Sequence, residues 1–192
     1  MHLKRKIMAA RLHGFTLIEL MVALAIFGLL LMLAGPMYGR FMANHQIRNA
    51  TDAILNGVQQ TQGAAVRGNT LVRLLLDPTT GTGGFRVLQT IEGVESATPV
   101  QMFTVKDGAP NATMVTVPGD ARQVTFDGFG RIVPNVDASA TLTCVRVTHP
   151  LSGTRQLNVA ISNNGLTMAT KLCDPALARD DPTEPLSCPT GC

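Results

Sequence analysis

The 192-residue chain has no tryptophan, one tyrosine and no cysteine before Cys144. Its composition is otherwise that of an ordinary folded protein, and its length suits one modest domain plus a targeting segment. Histidine is scarce too. His2, His13, His45 and His149 show no pair at metal-ligand spacing, so surface positions are the simpler reading. No lysine follows Gly81-Thr82-Gly83-Gly84, which removes a phosphate loop. No serine lies in a nucleophile-elbow pattern. Cys188 and Cys192 could suggest a metal knuckle, but with no second pair or nearby histidine the ligands are too few for a closed zinc site. These absences leave no catalytic constellation, so neither an enzyme nor a cofactor is expected, and no metal.

An excess of positive charge is also missing from most of the chain. The formal charge is +3, yet Lys4, Arg5, Lys6 and Arg11 crowd the first residues, and beyond them 12 Lys+Arg face 13 Asp+Glu. That weakens any nucleic-acid reading that relies on a global positive field.

What is present is concentrated at the N-terminus. Residues 1–14 are short, basic and free of acid, and Phe15 to Met37 is apolar with one charge, Glu19. At 1.5 Å per residue this stretch makes about 35 Å of helix, enough to cross a hydrocarbon core of about 30 Å. The preceding basic residues place its start in the cytoplasm and the rest of the chain outside. An ordinary signal peptide has a shorter apolar region and a small-x-small cleavage site. A carboxylate inside a lipid-facing helix is expensive, so Glu19 calls for a partner.

The string Gly14-Phe15-Thr16-Leu17-Ile18-Glu19-Leu20-Met21 resembles the processing site of type IV prepilins and type II secretion pseudopilins. The resemblance implies cleavage between Gly14 and Phe15 by a membrane-embedded prepilin peptidase, with N-methylation of Phe15. It implies also that Glu19 pairs with the N-terminal amine of a neighbouring subunit and so sets the register of assembly. A buried carboxylate and ammonium offset each other's desolvation only when docked in good geometry. Gly14, lacking Cβ, lets a protease approach the backbone closely. Pro36, after Gly35, removes a helical hydrogen bond and predicts a kink, at the distance from the processing site where pilin stems bend.

From Tyr38 to about residue 68, apolar or small residues at Phe41, Ile47, Ala50, Ile54, Val58 and Ala65 recur at helical spacing, and Gly68-Asn69 reads as a stop. Gly57 and Gly63 weaken the regularity of this stem helix. The candidate strands are Leu71–Leu76, Gly84–Gln89, Val100–Val105, Thr113–Val117, Val124–Phe126, Thr141–Thr148 and Arg155–Ser162. Residues 64–69, Val124-Thr125-Phe126-Asp127-Gly128-Phe129-Gly130 and the hairpin-like last pair resemble the soluble domain of the FimT, FimU and pseudopilin-H family. The expected architecture is α+β, a long N-terminal helix packed on an antiparallel sheet. Its parts are a leader (1–14), a transmembrane helix (15–37), an amphipathic stem (38–68), a β domain (69–173) and an acidic, proline-containing tail (174–192).

Four cysteines in an exported region favour disulfides and permit three pairings. The expectation is Cys144–Cys173, because Cys173 follows a stretch that could lie beside the last hairpin, and Cys188–Cys192 in a tight turn. The alternative joins Cys144 or Cys173 to the tail.

The resemblance implies a minor type IV pilin that initiates or caps a pilus. Such a protein sits in the bacterial inner membrane with its soluble domain in the periplasm, and later in the filament or at its tip. Its partners are then other minor pilins, the major pilin, the prepilin peptidase and the inner-membrane assembly platform. The stem face around Ile47, Ile54 and Val58, and unpaired sheet edges, are the expected contact surfaces. A type II secretion pseudopilin H is the alternative. A DNA-uptake pilin of the FimT kind is disfavoured, because the Gly-Arg-x-Arg stretch of such relatives is replaced here by Gly165-Leu166-Thr167-Met168, so nucleic acid is not an expected partner.

Overall fold

In the computed structural model the described residues are 14–91, 94–163 and 168–192. Residues 1–13 of the expected leader and residues 165–167 of the stretch compared with the DNA-capturing motif lie outside them. The chain forms two compact units, Met1–Gly39 and Arg40–Cys192. A helix, α1 (Leu17–Gly68), begins in the first and continues in the second.

In the first unit every residue from Gly14 to Met32 is exposed. The helix is apolar around its whole circumference here, so no side of it is marked as an inner face. No single helix among the described residues is long and apolar enough to cross a membrane, but Leu17–Met32 and Met37–Gly68 pass that test together. Pro36 falls between these stretches, and its side chain lies outside the described residues.

In the second unit α1 is amphipathic. Ala43, Ile47, Ala50, Ile54, Val58 and Ala65 are each no more than 2% exposed, and their three- and four-residue spacing makes one stripe. Thr51 and Thr61 sit on the same stripe without penalty, because their hydroxyls donate to the carbonyls of Ile47 (2.7 Å) and Gly57 (2.6 Å) one turn back. The stop at Gly68-Asn69 is a Schellman closure. Asn69 has φ 45°, its N–H donates to the Val66 carbonyl (3.4 Å), and that of Thr70 to Ala65 (3.2 Å).

Beyond the helix lie β1 (Val72–Asp77), β2 (Gly84–Ile91), β3 (Val94–Glu95), β4 (Gln101–Thr104), β5 (Thr113–Val117), β6 (Gln123–Phe126), β7 (Ile132–Val133), β8 (Cys144–Thr148), β9 (Leu157–Asn163) and β10 (Met168–Cys173). Two antiparallel sheets result. One has the order β3-β2-β1-β6-β7, with β4 also on β2, and the other has the order β10-β9-β8-β5. Every expected strand is present, shifted by a few residues at its ends, and β8 and β9 form the expected hairpin pair. Three strands are not among those expected from the sequence. β3 and β7 are two residues long, too short to show a period of two, and β10 begins at Met168, the last residue of the stretch compared with the DNA-capturing motif.

The inner faces of both sheets and the α1 stripe share one core, which includes Val72, Leu74, Phe85, Val124, Phe126, Val145, Val147 and Val159. Gly57, which had counted against the helix, is a contact point. A Cβ there would lie 2.6 Å from Cε2 of Phe85, so the missing side chain lets the ring pack against the helix.

The expected contact surface on the stem is corrected by this packing. Ile47, Ile54 and Val58 are buried at 0–1% exposure in the domain's own core and cannot meet a partner. The stripe is as wide as the sheet needs, and the sheet consumes it.

Candidate processing and assembly site

The residues singled out at the N-terminus fall within a few positions of the start of α1. Gly14, Phe15 and Thr16 are non-helical and α1 begins at Leu17. Phe15 is 86% exposed. Thr16 occupies the N-cap. Its Oγ1 accepts the backbone N–H of Glu19 at 3.3 Å, and its carbonyl accepts that of Leu20 at 3.2 Å. One of the unpaired first-turn donors is thereby satisfied. Glu19 stands in this first turn, where the helix dipole favours a negative group, and it is exposed. The arrangement presents a carboxylate and, a few residues before it in the chain, a non-helical and accessible Gly14–Phe15 bond. Sequence reasoning overlooked Thr16, although Thr16-Leu17-Ile18-Glu19 carries the capping pattern of a hydroxyl residue followed three positions later by Glu.

The cysteines lie in the second unit and form a different arrangement from the expected one. The disulfides are Cys144–Cys192 and Cys173–Cys188, with Cα separations of 5.5 and 4.9 Å. Both expected pairings, Cys144–Cys173 and Cys188–Cys192, are therefore corrected. The reason lies in the sheet. Cys144 on β8 is opposite Ala160 of β9, and Cys173 on β10 is opposite Asn158 of the same strand. The two cysteines thus flank β9 from opposite sides. Strands two apart are separated by about 9–10 Å, beyond the usual 4.4–6.8 Å Cα span of a disulfide. Each instead reaches the tail that crosses this face.

The tail acts as a third layer. Cys144, Ala160, Cys173, Cys188 and Cys192 make a second buried cluster with Val117 against it, on the side of the sheet opposite Val145 and Val159. Asn158 Nδ2, buried in this layer, donates to the Cys192 carbonyl at 3.0 Å. The backbone N–H of Asp174 donates to Leu186 (2.8 Å) and that of Asp180 to Cys188 (3.1 Å). Asp174, 3% exposed in its side chain, is ion-paired to the 70% exposed Arg155. Burial is the largest influence on Asp174 and would raise its pKa, but the Arg155 hydrogen bond, the Ala176 N–H and the guanidinium charge outweigh it and hold the pKa low. The sulfurs of Cys173, Cys188 and Cys192 lie within 4.8 Å of one another. All are disulfide-bonded, so they offer no thiolate to a metal.

Residues 50–165, more than half of the chain, match the family model described as type II transport protein GspH. The chain belongs to this family. Residues 10–35 match a second model, the prokaryotic N-terminal methylation motif. No curated protein matches the chain. Among solved structures, a crystal form of the type IV minor pilin FimU from Pseudomonas aeruginosa is similar at 15% identity and TM-score 0.50, covering 68% of this chain and 92% of that one. A second FimU crystal form gives 17% identity and TM-score 0.49 over 70% of this chain and 98% of that one. The first likeness supports the α+β pilin fold, a long helix followed by antiparallel sheets. GspH-family proteins of this pilin type are structural subunits and not enzymes.

Proposed function

We propose that the chain is a minor type IV pilin. It is cleaved between Gly14 and Phe15, methylated on Phe15 and held in the bacterial inner membrane by residues 15–37 until it enters a filament that it helps to initiate or cap. The observation that carries the reading is the juxtaposition at the start of α1. A non-helical Gly14–Phe15 bond lies just ahead of α1, and the stretch of α1 from Leu17 to Met32 is apolar but for one carboxylate, Glu19, in its first turn. In a lipid environment Glu19 needs a cationic partner, and the amine freed on Phe15 of a neighbouring subunit has the right charge. The soluble domain lies in the periplasm, where disulfides persist. Its partners are other minor pilins, the major pilin, the prepilin peptidase and the inner-membrane assembly platform. Since the stem face is spent on the core, the apolar residues from Phe15 to Met32 are the surface offered to neighbouring helices. The 12 Lys+Arg and 13 Asp+Glu that follow the leader favour protein partners over nucleic acid.

A second reading, a pseudopilin of a type II secretion machine, is favoured by the description of the matching family model. Intact-mass analysis of the membrane-extracted protein tests what the two share. The expected mass is that of residues 15–192 plus one CH2, for the methyl that replaces a hydrogen, less four hydrogens for the two disulfides, and any other N-terminus defeats the processing reading. Deletion in the native host separates them. Loss of surface pili with secretion intact supports the pilus, and loss of secretion with pili intact supports the secretion machine. Glu19→Val is expected to leave membrane insertion intact and reduce incorporation into the filament; unchanged incorporation would remove the register role.

A further inference from the structure

We infer that Thr16 is a positioning residue for leader cleavage: by capping α1 it stops the helix short of the Gly14–Phe15 bond and keeps that bond out of the helical hydrogen-bond ladder. The inference rests on the processing reading and concerns how the substrate strand is prepared. A peptidase engages its substrate through backbone N–H and C=O groups that an α-helix would already have used. The bond must therefore lie outside the helix, and in this chain it does, with α1 starting at Leu17.

Apart from Gly14, little in the sequence would stop the helix there. Leu17 to Leu20 favour helix, and Ala9, Ala10, Arg11 and Leu12 have high helix propensity. Gly14 disfavours helix by about 1 kcal/mol relative to Ala, an effect comparable with that of one cap, and the Thr16 hydroxyl adds to it. The hydroxyl of Thr16, accepting from the Glu19 N–H at 3.3 Å, is the one side-chain bond recorded at this end of the helix among the described residues. Where water is sparse, as at a membrane, an unsatisfied first-turn N–H is more costly than in solution. Without the hydroxyl, the first turn would recruit carbonyls from residues further upstream and draw the scissile bond into the helix. The same bond bears on Glu19, since the cap fixes the turn from which its carboxylate projects.

The test is a substitution series at position 16 in the full chain, expressed with its peptidase and followed by pulse labelling and loss of the leader. Thr16→Val keeps the shape and removes the acceptor; Thr16→Ala removes both. Thr16→Ser and Thr16→Asn keep a capping oxygen in side chains of different shape. Cleavage of the Val and Ala variants is expected to slow about fivefold, the population change that losing a typical N-cap brings, with Ser and Asn within about twofold of wild type on the same scale. A rate order that follows capping ability rather than size supports the positioning role. Wild-type rates in the Val variant overturn it, and so does an Asn variant as slow as Val, which would indicate direct reading of the threonine by the enzyme. An uncleaved wild-type chain defeats the processing reading itself, a different failure from equal rates across the series. Unchanged disulfide peptides in every variant exclude a folding defect in the second unit.

Discussion

Removing the bridge that closes the tail should cost more than removing the one nested inside it. Cys144–Cys192 closes a loop with a sequence separation of 48, and Cys173–Cys188 one with a separation of 15. In the chain-entropy model these correspond to about 4 and about 3 kcal/mol. The bridges are nested, so with the inner one intact the outer loop shortens to roughly 34 residues, which lowers its contribution only slightly because the dependence is logarithmic. The order is therefore robust to the nesting. For a domain of this size each kcal/mol moves Tm by about 2–4 °C. The Cys144→Ala/Cys192→Ala pair is then expected to lower Tm by roughly 8–16 °C and the Cys173→Ala/Cys188→Ala pair by roughly 6–12 °C. Urea unfolding of the purified chain in detergent, read by far-UV circular dichroism, gives the free energies directly. Non-reducing peptide mapping gives the connectivity beforehand. A Cys144–Cys173 peptide would refute the argument from strand spacing. An inner-pair loss exceeding the outer-pair loss by more than about 1 kcal/mol would refute the loop-length argument.

Gly57→Ala should destabilise by about 1–3 kcal/mol through overpacking against Phe85, although Ala is the better helix former by about 1 kcal/mol; a stabilised variant in urea unfolding would show that the ring can move aside. Arg155→Ala should cost about 1–3 kcal/mol, because it leaves the buried Asp174 carboxylate short of a partner, whereas Arg48→Ala, in an exposed pair with Asp52, should cost less than about 1 kcal/mol. Asp77, Asp127, Asp137, Asp174 and Asp181 are all held below the ordinary aspartate pKa. Their contribution is thus fully present above the unfolded value of about 3.9 and is lost as pH falls through the folded values. Stability should be level from pH 7 to about 5 and decline below about 4, and a urea midpoint that rises on acidification in that range would contradict the shifts.

The N-terminal region was legible from the sequence because its information is local. A basic leader, the Gly14-Phe15 junction and an apolar run whose one charge is the acid at position 19 need no tertiary context to be recognised. The stem stripe was legible for the same reason, since helical periodicity is written into Ile47, Ala50, Ile54 and Val58. What that stripe packs against was not, because a sequence marks an apolar face without naming its partner, and the tertiary structure assigns it to the two sheets. Strand lengths followed the same division. Thr113–Val117 carries enough alternation to be read directly, while Ile132–Val133 exists as a strand only because β6 lies beside it. The disulfides were decided entirely by topology. Nothing local distinguishes Cys144–Cys173 from Cys144–Cys192, and only the placement of β9 between β8 and β10 puts the first pair out of reach and brings the tail across the outer face to complete the second.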